Sequence, residues 1–232
     1  MQGRGPSLWC AWPRRPSRRS AALSTPTAQA HRLVELGVPG LAGLSDAELV
    51  AHAEDLTDEG GDEAVLVVHP SLVPASRLAP LLERDGLPGF VVEDLTDLDE
   101  FVPVESVDVP DRPLYLVHGI DRGDELRNRS PEEAMVALVE QGRTPLTVSE
   151  GISWLLQDPA RLEPNRCFMC IASRKPKARG GLDARTPAIW ISGGTGRDGR
   201  ERSGAPKVGW CWARNRHTWL GFASVLRRSP LD

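Results

Sequence analysis

At residue 166 the chain changes its apolar period, and that change limits the folds open to it. Upstream, apolar residues recur at helical spacing behind three capping boxes, Ser45-Asp-Ala-Glu48, Ser130-Pro-Glu-Glu133 and Thr147-Val-Ser-Glu150. In such a box the hydroxyl accepts from an orphan backbone donor and the carboxylate reaches back to the cap. Downstream the period is two, with β-branched and aromatic residues over 167–173, 188–192, 207–213 and 217–224. That pattern predicts a meander of antiparallel strands. The order of elements predicts an α+β fold: N-terminal helices and a small strand–helix–strand unit, followed by a C-terminal antiparallel sheet. No internal repeat is visible.

The individual elements follow from local signals. Ala30, Leu33, Val34 and Leu36 share a helical face over 27–36, and Gly37 is a stop. The Ser45 helix runs to about residue 57, where the acidic turn TDEGGDE ends it. AVLVVH (64–69) is a continuous apolar run and predicts a buried strand. A short helix over Ala75–Arg84, stopped by Gly86, and a strand at 89–93 complete a strand–helix–strand unit, which favours a parallel pair. Residues 94–112 are acidic and Pro-rich, with a short strand near Phe101–Val104. PLYLVH (113–118) is another strand, and Asp158-Pro159 ends the Thr147 helix.

Charge divides the chain more sharply than composition does. The 232 residues are 40% hydrophobic and 26% charged, ordinary values for a soluble globular protein. The net charge of −4 hides +6 over residues 1–34, −20 over 35–165 and +10 over 166–232. Residues 1–24 are Arg-, Pro- and Ser-rich, which predicts a disordered basic extension or an unused upstream start rather than a secretory signal. Residues 25–232 then form one α+β domain, with an acidic α/β part (35–165) and a basic β-rich lobe (166–224). The split reads either as an acidic body docked on a basic lobe or as a lobe that meets an anionic partner. Nucleic acid is disfavoured, because the −20 body repels a phosphate backbone. No run of 18 apolar residues exists, so no membrane span is expected. Four cysteines at irregular spacing do not form a disulfide scaffold, and a reducing cytoplasm is the simplest setting.

The basic lobe holds three of the four cysteines and four of the seven tryptophans, so function is expected there. Cys167, Cys170, Cys211 and His217 have the types of a Cys₃His zinc set. Residues three apart on a strand face opposite ways, however, so Cys167 and Cys170 read as packing residues and no metal is predicted. Ser192-Gly-Gly-Thr-Gly-Arg-Asp-Gly-Arg200 lacks the Lys-Ser/Thr of a phosphate loop and is followed by no helix. It reads as a long hairpin loop in which Thr195 and Arg200, with Lys207 beyond, would hold an anion, or as a connector. Asp183 and Arg185 precede a strand and would pair, or Asp183 would orient a ligand-binding Arg185. In Trp210-Cys-Trp212-Ala-Arg214-Asn215-Arg216-His217, alternation puts Trp210 and Trp212 on one face.

His217 is the natural proton carrier of the lobe, Asp183 is the second catalytic candidate through the Arg it would orient, and Arg216 and Asn215 are candidate anion ligands. A surface histidine is the bland alternative. His118, Asp121 and Asp124 lie after a strand, where ligands gather in parallel sheets, and are secondary candidates; local ion pairs are the alternative. The sequence names no cofactor.

VVHPSLVPASRLAPLL, LYLVHGIDRGDELRN, TPLTVSEGISWLLQDP, LDARTPAIWISGGTGRDGRE and APKVGWCWARNRHTWLGFAS together resemble an uncharacterised actinobacterial family, a domain of unknown function. The resemblance spans roughly residues 27–224 and implies one family domain in a cytoplasmic protein. It implies no activity, cofactor or catalytic residue. The family pattern reads CFMT where this chain has Cys167-Phe-Met-Cys170, which further weakens the zinc reading. The expected function is a small-anion-binding or regulatory protein that uses the basic lobe. An enzyme with His217 as acid/base and Arg anion stabilisers is the first alternative, and a single-stranded nucleic-acid binder the second.

Overall fold

The computed structural model describes residues 25–56 and 63–230. The expected basic extension at 1–24 and most of the acidic turn at 57–63 lie outside the described residues. The fold is α+β, with N-terminal helices followed by several sheets. Helices α1 (Pro26–Glu35), α2 (Val38–Ala42) and α3 (Asp46–Glu54) open the chain. Thr25 caps α1, and the Ser45–Glu48 box caps α3. Strand β1 (Ala64–Val68) is buried at every position. One helical turn, α4 (Ala75–Leu78), passes into a 3₁₀ turn at Ala79–Leu81 rather than running to Arg84. Pro80 has no N–H to continue the helix.

The expected parallel pairing of the strands at 64–69 and 89–93 does not occur. After the 3₁₀ turn the chain folds into a hairpin of β2 (Glu83–Arg84) and β3 (Leu87–Pro88). Its turn is Asp85-Gly86, at φ 52° and 77°, the positive pair that an Asp-Gly turn of type I′ adopts. The hairpin redirects the chain, so β4 (Phe90–Val91) joins a different sheet from β1. After β5 (Val102–Pro103), strand β6 (Leu114–His118) pairs with β1 antiparallel. Next come α5 (Pro131–Glu140), β7 (Thr144–Pro145), α6 (Val148–Gln157), β8 (Cys167–Met169) and β9 (Ser173–Arg174). The hairpin of β10 (Arg185–Ile191) and β11 (Pro206–Trp212) follows, then β12 (Leu220–Phe222), β13 (Ser224–Val225) and β14 (Arg227–Ser229).

Two sheets sandwich α6. The three-stranded sheet runs β1-β6-β14, and the five-stranded sheet runs β12-β8-β10-β11-β4. The latter is mixed, not wholly antiparallel: β8–β10 and β10–β11 are antiparallel, while β12–β8 and β11–β4 are parallel. Because β4 occupies the free edge of β11, the chain crosses over two strands through 213–219 and β12 joins the far edge. All ten residues of α6 are buried. One stripe, Glu150, Ser153 and Gln157, is polar and meets partners on the three-stranded side. Ser153 Oγ accepts from Val68 N at 3.1 Å, and Gln157 Nε2 donates to the Gln29 carbonyl at 3.2 Å. On the other side Gly151 lets the helix close on Cys170, Phe168 and Ile189 of the larger sheet. Ile152, Leu155 and Leu156 are at most 2% exposed, and burial of such side chains is worth about 1.5–3 kcal/mol each. Among the described residues no helix is long and apolar enough to cross a membrane.

Candidate functional site

The basic lobe meets the acidic body through ion pairs. Arg185 grips Asp97 with two bonds, Nη1–Oδ1 at 2.9 Å and Nη2–Oδ2 at 2.6 Å, and holds Asp183 through Nε at 3.1 Å. Lys175 reaches Asp97 at 2.7 Å and Glu100 at 3.0 Å. Arg216 pairs with Glu133 and Arg214 with Glu132, and Arg228, beyond the lobe, pairs with Glu150. The Arg185 guanidinium, helped by Lys175, holds the Asp97 carboxyl well below the usual carboxylate range despite its partial burial, and Arg185 lowers Asp183 too. Arg185 also lies 5.3 Å from the Phe101 ring centre. Its fork is therefore engaged within the fold.

The sequence-derived set divides between the two ends of the β10–β11 hairpin. Asp183 and Arg185 come together, and the turn bearing Asn215 lies at the same end, where Ala213 N donates to the Ala184 carbonyl. Thr195, Arg200 and Lys207 lie at or beside the loop end, roughly 20 Å away at about 3.4 Å per strand residue. There Lys207 is neutralised by Asp198 at 2.7 Å, and its ammonium lies 4.9 Å from the Trp190 ring. Thr195 and Arg200 are exposed on the loop. Arg216 and Asn215 are exposed. The His217 ring packs edge-on against Trp219 at 5.5 Å, and its Nε2 is buried without a hydrogen-bond partner. Burial lowers its pKa. No hydrogen bond or ion pair joins His217 to Asp183 among the described residues. Trp210 and Trp212 share a face, their rings 4.6 Å apart.

The secondary candidates occupy a different setting from the one expected. Strand β6 is antiparallel to both neighbours, so His118 does not end a parallel strand beside a crevice. It is buried, with Nε2 2.6 Å from Ser229 Oγ. Asp121 accepts from Gly123 N at 2.6 Å, and Asp124 clasps Arg122, which also reaches Glu163 at 3.2 Å. The loop is a local ion-pair cluster. Cys170 faces Gly151 of α6, whereas the Cys167 sulfur lies 3.9 Å from the Glu163 carbonyl. Burial raises all three described thiols, Cys211 to about 11, which disfavours the nucleophilic thiolate.

One basic residue of the lobe that the sequence did not single out has a different environment. Arg174 ends β9 and is half-buried; its Nη2 donates to the Asp183 carbonyl at 2.7 Å. Its Nε is buried and has no hydrogen-bond partner, the one such guanidinium nitrogen among the described residues. Desolvation lowers its pKa, opposed by the charges of Glu132 and Asp183. Arg174 lines two adjoining hollows of about 760 and 310 Å³, which also share Val104, Ser106 and Leu182. They form one open groove between the 102–106 segment, the 176–182 arm and the start of α5. In the sequence Arg174 is one of several cations in SRKPKARGG; only the groove distinguishes it. Elsewhere, a largely apolar cavity of about 140 Å³ lies beside β5, but its wall groups Tyr115 and Ser173 bond to Glu150 and to Val148 N.

No curated protein and no solved structure matches the chain. The model of a family of unknown function, DUF5701, matches residues 32–231, and the chain belongs to that family.

Proposed function

We propose that the protein is a binding or regulatory module that holds a small ligand through one anionic group, with Arg174 as the anion's partner. The observation that carries this reading is that Arg174 lines both hollows of the groove and, unlike the other cations beside it, makes no ion pair among the described residues. An arginine with no carboxylate of its own can give an anion a charge-assisted hydrogen bond. The neighbouring cations are less suited to the task. Arg185, Lys175 and Lys207 each already face carboxylates at 3.1 Å or less. The lining of the groove is largely apolar around Arg174.

An enzymatic reading would rest on His217, whose Nε2 is also unpartnered. It has less support, because neither Asp183 nor an arginine bonds to that ring. The test is a calorimetric screen of small carboxylates, phosphates and sulfates against the wild-type protein and Arg174→Gln. Binding of at least one probe should weaken about tenfold or more in the variant, as expected for loss of a charged hydrogen bond of about 1.5–3 kcal/mol. No binding by any probe, or equal affinity in both proteins, removes the proposal.

A further inference from the structure

We infer that the cavity beside β5 is a second binding site, separate from the Arg174 groove, for a small neutral carbonyl compound held by Ser149. The cavity lies where β5 meets the start of α4 and the start of α6. Its rim is open, since Val102 is 44% exposed and Asp99 is exposed. Its floor is closed, since Ala75, Tyr115 and Val148 are at most 3% exposed. A solute that enters at the rim therefore leaves its water behind, which favours an apolar body.

Most polar groups of the wall are engaged. The Tyr115 hydroxyl donates to Glu150, Ser173 Oγ accepts from Val148 N, and Asp99 accepts from the Ser76 N–H and hydroxyl. Ser149 is different. It is 4% exposed and lines the cavity, and its side chain makes no hydrogen bond among the described residues. Its oxygen is not one of the unpartnered side-chain atoms sealed from solvent, so the cavity reaches it. The backbone adds a second donor. At the start of α6, Val148 N is taken by Ser173 and Glu150 N by Thr147, while Ser149 N between them has no acceptor among the described residues. The first N–H groups of a helix find no partner within it. A buried donor left without an acceptor is costly. A carbonyl oxygen accepts from the hydroxyl and keeps a second lone pair for the N–H.

Charge and size set the rest. Among the described residues no lysine, arginine or histidine lines the cavity, and Asp99 stands at its rim. A carboxylate or phosphate would enter without a counter-ion and against a like charge. An ammonium would bring donors where Ser149 needs an acceptor. The volume is about 140 Å³, and an apolar cavity of roughly 150 Å³ takes benzene. Water is the competing occupant, but a buried water makes about three hydrogen bonds, and the open hydroxyl stands in a largely apolar wall.

The experiment is an NMR titration of the full chain with cyclohexanone, methylenecyclohexane, cyclohexylamine, cyclohexanecarboxylate and cyclododecanone, on the wild type, Ser149→Ala, Ala75→Leu and Arg174→Gln. Cyclohexanone should bind best. Ser149→Ala should weaken it about three- to tenfold, the worth of a neutral hydrogen bond, and leave methylenecyclohexane unaffected. Cyclohexylamine and cyclohexanecarboxylate should bind about tenfold more weakly or worse than the ketone, and cyclododecanone, far larger than the cavity, should not bind. Ala75→Leu, which fills the floor, should abolish binding, and Arg174→Gln should leave it unchanged. No binding of cyclohexanone, or equal affinity in the wild type and Ser149→Ala, overturns the inference. Cyclohexanecarboxylate binding as tightly as the ketone overturns the neutral class. A loss in Arg174→Gln that Ser149→Ala does not share puts the ligand in the groove, which overturns this site and leaves the anion reading standing. If Ala75→Leu does not fold, the comparison of ketone and hydrocarbon in Ser149→Ala still decides.

Discussion

Glu150 is a helix cap in the sequence and the centre of a buried charge cluster in the fold. Its carboxylate accepts from Thr147 N at 2.7 Å, from the Tyr115 hydroxyl at 3.0 Å, and from Arg228 Nε and Nη2 at 2.6 and 2.9 Å. The Glu150 and Arg228 side chains are 0% and 3% exposed. Desolvation, then the Glu150 charge, pushes the Tyr115 hydroxyl well above its ordinary pKa, so it remains a donor. Breaking a pair of this kind leaves an uncompensated charge in the core, which costs about 3–5 kcal/mol. Glu150→Ala should therefore destabilise by about that amount in urea denaturation. The double change Glu150→Leu with Arg228→Met should recover most of the loss, since a well-packed apolar pair avoids the desolvation penalty. A double variant as unstable as the single one would contradict this account. The capping role was legible from Thr147-Val-Ser-Glu150, four residues long. The Arg228 partner, 78 positions away, was not.

At the scale of elements, α6 is held between two sheets and tolerates no added bulk on its inner side. A Cβ at Gly151 would meet Cys170 Sγ at 2.6 Å and Phe168 Cε2 at 3.1 Å. Gly151→Ala gains up to about 1 kcal/mol of helix propensity. Overpacking should outweigh that gain, for a net loss of about 1–3 kcal/mol in thermal or urea unfolding. Adding Cys170→Ala opens the space, so the two changes should be non-additive, with the double variant more stable than the two single losses predict. Simple additivity would show that the contact does not govern the packing. The helix starts at 45, 130 and 147 were readable because capping boxes are local. Strand partners were not, because pairing depends on where the chain goes next. The Asp85-Gly86 turn, itself visible in the sequence, diverts β4 away from β1.

Across the whole molecule, ion pairs join the acidic 35–165 stretch to the basic C-terminal stretch. Asp97 is the clearest joint, since it binds Arg185 and Lys175 together. Its lowered pKa links stability to pH with a definite sign. A carboxylate depressed in the folded state contributes its full stabilisation above the unfolded value of about 4, and loses it as pH falls through the folded value. Wild-type stability should therefore decline from about pH 4 downward. Asp97→Asn should be less stable at pH 7 and flatter over that acid range, as read by urea midpoints in a pH series. An unchanged acid slope in the variant would remove Asp97 from this role. The exposed joints Arg214–Glu132 and Arg216–Glu133 are expected to contribute less than about 1 kcal/mol each.

The sequence by itself determined the α+β class, the capped helices, the strand-rich end and the charge division, because each is written in spacing over a few residues or in bulk composition. Only the tertiary structure decided which strands pair, that α6 lies between two sheets, and which cations keep a free donor. Arg185 and Lys207 read as anion ligands in the sequence, and the fold gives each a carboxylate of its own. Arg174 read as one cation among several, and the fold sets it in the wall of a groove with no carboxylate of its own. Whether a charge is satisfied depends on residues tens of positions away, such as Asp97 for Arg185, and no local pattern encodes that distance.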